Sequence, residues 1–192
     1  ESDVFIAFST RQALRRIGHW KPLGAGLAST DAKVRTGLLL ALELGYEKEA
    51  VEALAGYIAD RQHPAEERAR ALMYLSQVHR RAKPWDGHWW GTRPVMGKPP
   101  AKVEEWAGTP VVLATVREHL ADPQAAVRIA AIEAVAETND RAALPTLRVQ
   151  FPKERDTAVR VAIAKSLGAL DDKESLRVLI SAMRDTTAPE AV

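Results

Sequence analysis

Ala126-Val127-Arg128 and Ala158-Val159-Arg160 each open an apolar run, and the two runs read alike. The second valine follows the first by 32 residues, and the same offset pairs Ala130 with Ala162, Val135 with Leu167, Asp140 with Asp172, Leu144 with Leu176 and Leu147 with Leu179. A third copy lies upstream, where Val34-Arg35 leads to Leu38, Leu42, Glu47, Val51 and Leu54, each 93 residues ahead of its counterpart. Within each copy the apolar residues recur three and four apart, the spacing of one helix face. A repeat of roughly 30–45 residues made only of helical patterns predicts an α-solenoid, whose stacked units bury one continuous core. Val127, Ala131, Val135, Leu144, Leu147, Val159, Ile163, Leu167, Leu176 and Leu179 are the expected core positions.

The totals agree with an all-α chain. Of 192 residues, 46% are hydrophobic and 27% charged, the composition of one globular domain or one solenoid segment. Ala, Leu, Arg and Glu dominate, and the period-2 runs of strands are missing. The expectation is a right-handed α-solenoid of four to five helix pairs occupying residues 1–192, cut from a longer array. No apolar stretch reaches the roughly 18 residues that span a bilayer, so membrane insertion is not expected. The absence of cysteine excludes disulfides, thiolate metal sites, a cysteine nucleophile and covalent c-type haem from this segment.

The helices follow in order. Val4 to His19 reads as the end of an earlier unit, and Trp20 to Leu27 as a short helix. Ser29-Thr30-Asp31 offers N-cap chemistry to the helix of Val34, Leu38 and Leu42, which ends at Gly45. Glu47 to Asp60 is its antiparallel partner, with Val51, Leu54 and Ile58 inward. Pro64 starts a helix to about Ala82, expected in a second-helix position, and Ala69-Arg70 follows Val34-Arg35 at a spacing of 35. Residues 83–108, with four prolines and four glycines, break the period and form an insertion between two helices. Regular pairs resume from Thr109-Pro110 to Leu120, Asp122-Pro123 to Asn139, Asp140 to Gln150, Asp156 to Leu170 and Lys173 to Arg184.

The insertion holds four of the chain's five tryptophans. It reads Lys83-Pro84-Trp85-Asp86-Gly87-His88-Trp89-Trp90-Gly91-Thr92-Arg93-Pro94 and ends in Val103-Glu104-Glu105-Trp106-Ala107-Gly108-Thr109. Residues 61–102 carry 9 basic and 3 acidic groups, against 7 and 8 before them and 11 and 14 after. Trp85, His88, Trp89, Trp90, Arg93 and Trp106, with Arg70, Arg80 and Arg81 of the flanking helix, are therefore the candidate binding residues. Tryptophans with a cationic rim suit a partner protein, another domain of the same chain or an anionic glycan. A long loop also needs apolar anchors of its own, so packing on the solenoid is the favoured role for part of this set.

The Val-Arg pairs, the acidic positions just before them and the small or apolar residues after them resemble HEAT repeats, over most of the chain. The Trp-Trp-Gly-Thr-Arg-Pro loop, with the Trp-x-Gly-Thr segment leading into a helix, resembles PVC-type (planctomycete-like) multidomain membrane-bound dehydrogenase or haem-binding proteins. That family loop commonly continues with Asp-Thr and Tyr-Tyr, where this chain has Val95-Met96-Gly97-Lys98-Pro99-Pro100. The resemblance implies a scaffold between a propeller and a cytochrome domain, placed outside the cytoplasm. It carries over no catalytic residue and no cofactor, because the family's redox chemistry belongs to other domains.

Arg35, Arg128 and Arg160 recur once per unit, which predicts an inter-repeat ladder of ion pairs. His19, His63, His79, His88 and His119 show no metal-ligand spacing, and Asp86-x-His88 is too weak a pair to predict one. No nucleophile elbow or phosphate-cradling glycine loop occurs, so no catalytic residue is expected. The lesser reading is a HEAT-like nucleic-acid-binding protein or DNA glycosylase of the alkylation-repair type, with Asp86 and the basic region in play.

Overall fold

The computed structural model describes residues 3–85 and 102–184. Its helices are α1 (Val4–Ile17), α2 (Trp20–Gly26), α3 (Ala32–Leu42), α4 (Lys48–Ala59), α5 (Ala65–Gln77), α6 (Thr109–Glu118), α7 (Ala125–Glu137), α8 (Leu144–Gln150), α9 (Thr157–Ala169) and α10 (Leu176–Arg184). Two short strands, β1 (Arg81–Ala82) and β2 (Val103–Glu104), pair antiparallel.

Local chemistry sets the helix ends. Asp31 and Asp156 accept backbone N–H groups of the first turns of α3 and α9, Lys33 N at 2.8 Å and Ala158 N at 2.9 Å, which satisfies donors the helix cannot. At the far ends of α7 and α9 stand Asn139 and Asp171, with φ of 53° and 49°. Each lets the next residue's N–H reach back to the helix, Asp140 to Val135 O and Asp172 to Leu167 O, both at 3.0 Å, a Schellman-type closure. A short 3-10 turn then leads into α8, where Pro145 occupies a first-turn position that needs no donor.

Odd-numbered helices pack one on the next, α1 on α3, α3 on α5, α5 on α7 and α7 on α9. Opposite them, α2 packs on α4 and α4 on α6, while α4 also meets α5, α6 meets α7 and α8 meets α9. This is a two-layer solenoid of five helix pairs among the described residues. Its core runs through both layers, with Leu39, Leu54, Leu72, Ile132, Leu147 and Ile163 fully buried. Each such side chain contributes roughly 1.5–3 kcal/mol by burial.

Eight of the ten expected core residues are buried. Leu176 is 56% exposed and Leu179 half-buried, because no described helix packs over the outer side of α10. Val34 is also exposed. There α1 and α3 meet at their C-terminal ends, through Arg15 on the carbonyls of Leu40 and Ala41, while Phe5, Phe8 and Val34 stay in solvent at the other end.

Two sequence expectations need correction. The helix after Pro64 lies in the same layer as α3 and α7, so it is a first helix of its pair, with α6 as its partner across the insertion. It also stops at Gln77 rather than near Ala82. Arg81 and Ala82 leave as β1 because Glu104 and Val103 meet them from the other side of the insertion.

Candidate interaction surface at the insertion

The two ends of the insertion are tied to each other and to α5. Arg81 donates from Nε to Glu104 Oε1 at 2.9 Å, and Lys83 N donates to Lys102 O at 2.9 Å. Arg80 stands 3.8 Å from Glu105. These exposed pairs set the register of the stem more than its stability, since surface ion pairs are worth about 0–1 kcal/mol.

The Trp-x-Gly-Thr segment is a clamp. Trp106 Nε1 donates to Val78 O at 2.7 Å, and the ring meets Tyr46 edge-on with centroids 5.9 Å apart. Thr109 Oγ1 donates to His79 O at 2.5 Å and accepts from Trp106 N at 3.0 Å. A Cβ at residue 108 would overlap the Trp106 indole, so the glycine is what lets the ring fold back over the chain. The spacing Trp, any residue, Gly, Thr thus pins the exit of the insertion to the two carbonyls that follow α5.

Trp106 is therefore half-buried and committed to packing, while Trp85 at the entrance is exposed. Arg70 is exposed on α5, and Arg80 and Arg81 are paired at the stem. His88, Trp89, Trp90 and Arg93 lie outside the described residues, as does Asp86.

The repeated arginines share one register, four residues past the N-cap: Arg35 in α3, Arg128 in α7 and Arg160 in α9. The same register in α5 falls on Arg68, where Glu67 stands in place of the valine of the Val-Arg pair. Arg35 binds Glu67 at the start of α5 through two bonds of 2.8 Å. Arg68 binds Asp122 ahead of α7 at 2.6 Å and Ile58 O at 2.6 Å. Arg128 reaches Glu154 ahead of α9 at 3.1 Å. Arg160 lies over the Phe151 ring, 5.4 Å from its centroid.

A second series went unread in the sequence. Arg117 grips Asp140 with two bonds of 2.6 Å, and Arg148 donates to Asp172 at 2.8 Å. The acids are 23 and 24 residues after their arginines, a recurrence that a search for basic-to-acidic spacing would have found.

These pairs bias the charge states. Hydrogen bonding from Arg35 holds the Glu67 carboxyl at about 2, against the opposing effect of burial and with help from Tyr57. Burial, then its bond to Glu67, pushes the Tyr57 hydroxyl up to about 12. His63 stacks on the Tyr57 ring, centroids 3.8 Å apart. Burial tends to raise Asp122 and Glu154, yet both carboxyls stay below the usual range. For Asp122 the hydrogen bonds from Arg68 and the Gln124 N–H prevail; for Glu154 those from the Asp156 N–H and Gln150, with the Arg128 charge, do so.

Arg68, Arg80 and Arg81 are each paired to a carboxylate, while Arg61, Arg70, Lys83 and Lys102 are exposed and form no ion pair among the described residues, which leaves a few scattered cations rather than a continuous track. A phosphate track needs unpaired cations in series, so the nucleic-acid reading is not favoured. Among the described residues no cluster of His, Asp and Glu has the make-up of a metal site, and no helix is long and apolar enough to cross a membrane.

No curated protein matches the chain. Residues 113–191 match the family model described as HEAT repeats. That stretch begins within α6 and takes in the pairs that Arg117, Arg128 and Arg148 cross-link, so the C-terminal part of this solenoid is a HEAT-repeat region.

Proposed function

We propose that the chain is a non-catalytic HEAT-repeat scaffold of a larger multidomain protein, of the PVC-type resemblance, and that it holds a partner protein or domain through the Trp-rich insertion and the adjoining solenoid surface. HEAT repeats commonly serve as protein-interaction scaffolds. The observation that carries the reading is the rooted insertion. Trp106, Thr109 and the Arg81–Glu104 pair fasten both of its ends beside the α5–α6 junction. Preorganised roots lower the entropy lost when an intervening segment meets a partner, and a purely disposable loop would need none of them.

The test replaces residues 85–102 by a Gly/Ser linker, which leaves the Trp106 clamp intact. Circular dichroism and thermal unfolding are expected to stay near the parent, while pull-down of the neighbouring domains of the full-length protein is lost. Retained association with those domains would move the site off the insertion. Loss of the fold would make the insertion a structural clamp and no more.

A further inference from the structure

A cleft of about 820 Å³ opens between the loop ahead of α7 and the end of α8. It is shallow and widely open to solvent, the shape of a surface that an extended segment crosses rather than of a pocket that encloses a ligand. Ala121, Pro123, Pro145 and Val149 give it an apolar floor, and Val149 is 58% exposed there. A valine on the solvent side of a seven-residue helix is unremarkable alone, but here it adjoins two prolines that offer no donor.

The charges around this floor are unequal in their freedom. Asp122 and Glu154 both line the cleft, yet Asp122 is spent on Arg68 and the Gln124 N–H, and Glu154 on Arg128, Gln150 and the Asp156 N–H. Lys153 and Arg155 stand exposed at the same rim and form no ion pair among the described residues. The cleft therefore shows two uncompensated cations over an apolar floor, with its acids already neutralised. That combination selects a ligand with the opposite pattern.

We infer that this cleft docks an extended acidic segment of a partner protein, with an apolar side chain seated on Pro123, Pro145 and Val149 between carboxylates that face Lys153 and Arg155. Two cations are too few for a nucleic-acid track, and an apolar floor rewards a side chain rather than a phosphate. The site is separate from the insertion and does not depend on its role.

A fluorescein-labelled decapeptide of Glu and Asp with a central Leu-Phe pair is the probe, read by fluorescence anisotropy on the whole chain. Two controls accompany it, one with the acids replaced by lysine and one with Leu-Phe replaced by Gly-Gly. The acidic apolar peptide is expected to bind, and both controls to bind at least about tenfold more weakly. Val149→Asp and the double variant Lys153→Glu, Arg155→Glu are each expected to weaken it by a similar factor with unchanged thermal unfolding, because all three side chains are exposed. Replacing residues 85–102 by linker should leave this binding as it was, so its result and that of the insertion experiment are read independently. Equal binding of the three peptides, no binding at millimolar protein, or indifference to both surface variants overturns the inference. So does concentration-dependent self-association that Val149→Asp abolishes, since the occupant would then be a second copy.

Discussion

Arg68 of α5 and Asp122 ahead of α7 form an ion pair at 2.6 Å although 54 residues of chain separate them. Their side chains are 2% and 3% exposed, which makes this the most deeply buried rung of the arginine series. Truncating one partner of such a pair leaves the other charge buried and costs roughly 3–5 kcal/mol. Arg68→Ala is expected to lower stability by that amount in urea unfolding. The double variant Arg68→Met, Asp122→Leu should recover most of it, because no stranded charge remains. A loss under about 1 kcal/mol for Arg68→Ala would show that water reaches Asp122.

Acid sensitivity should trace to Glu67. Its carboxyl titrates at about 2 in the fold against an ordinary 4.5. Since the folded value is the lower one, the stabilisation is present above pH 4.5 and drains away as pH falls toward 2. With screening allowed for, the amount is about 1–2 kcal/mol. Glu67→Gln should therefore flatten the acid limb of a stability-against-pH curve while lowering the plateau near neutrality. An acid limb unchanged by this variant would assign the effect to another carboxylate.

At the exit of the insertion, Gly108→Ala is expected to push the Trp106 indole off Val78 O, and Thr109→Val to remove the hydroxyl shared by Trp106 N and His79 O. Each change costs about 1–3 kcal/mol by leaving a half-buried polar group unpaired. Limited proteolysis should then cut within residues 83–108 faster than in the parent. Unaltered cleavage in both variants would mean the stem alone holds the insertion.

Asp171 offers a change of the opposite sign. Its φ of 49° is a conformation that glycine adopts without strain, so Asp171→Gly should be neutral or stabilising by up to about 1 kcal/mol. Asp171→Val should be clearly destabilising, since a β-branched residue resists the left-handed region. Melting temperatures of the two variants decide it.

Helical spacing made the stacked pairs legible, because burial repeats with the units: Val127 and Val159, like Ile163 and Leu167, are fully buried. The Arg68 rung was hidden by its neighbour. Where the other units have valine ahead of the arginine, α5 has Glu67, which serves Arg35 of the unit before, so the Val-Arg pattern matches best two residues later, at Ala69-Arg70. The Trp-x-Gly-Thr motif was visible as a pattern, yet its purpose was not, since Val78 and His79 sit on the far side of the insertion in the chain. Contacts that close a long gap leave no local period to find.

The direct seat of α5 on α7 has a mechanical side. Tension applied along the array would pass from helix to helix through this packed layer and the Arg68–Asp122 bond. The length of chain joining α5 to α6 could thus change without altering the seat that carries the load.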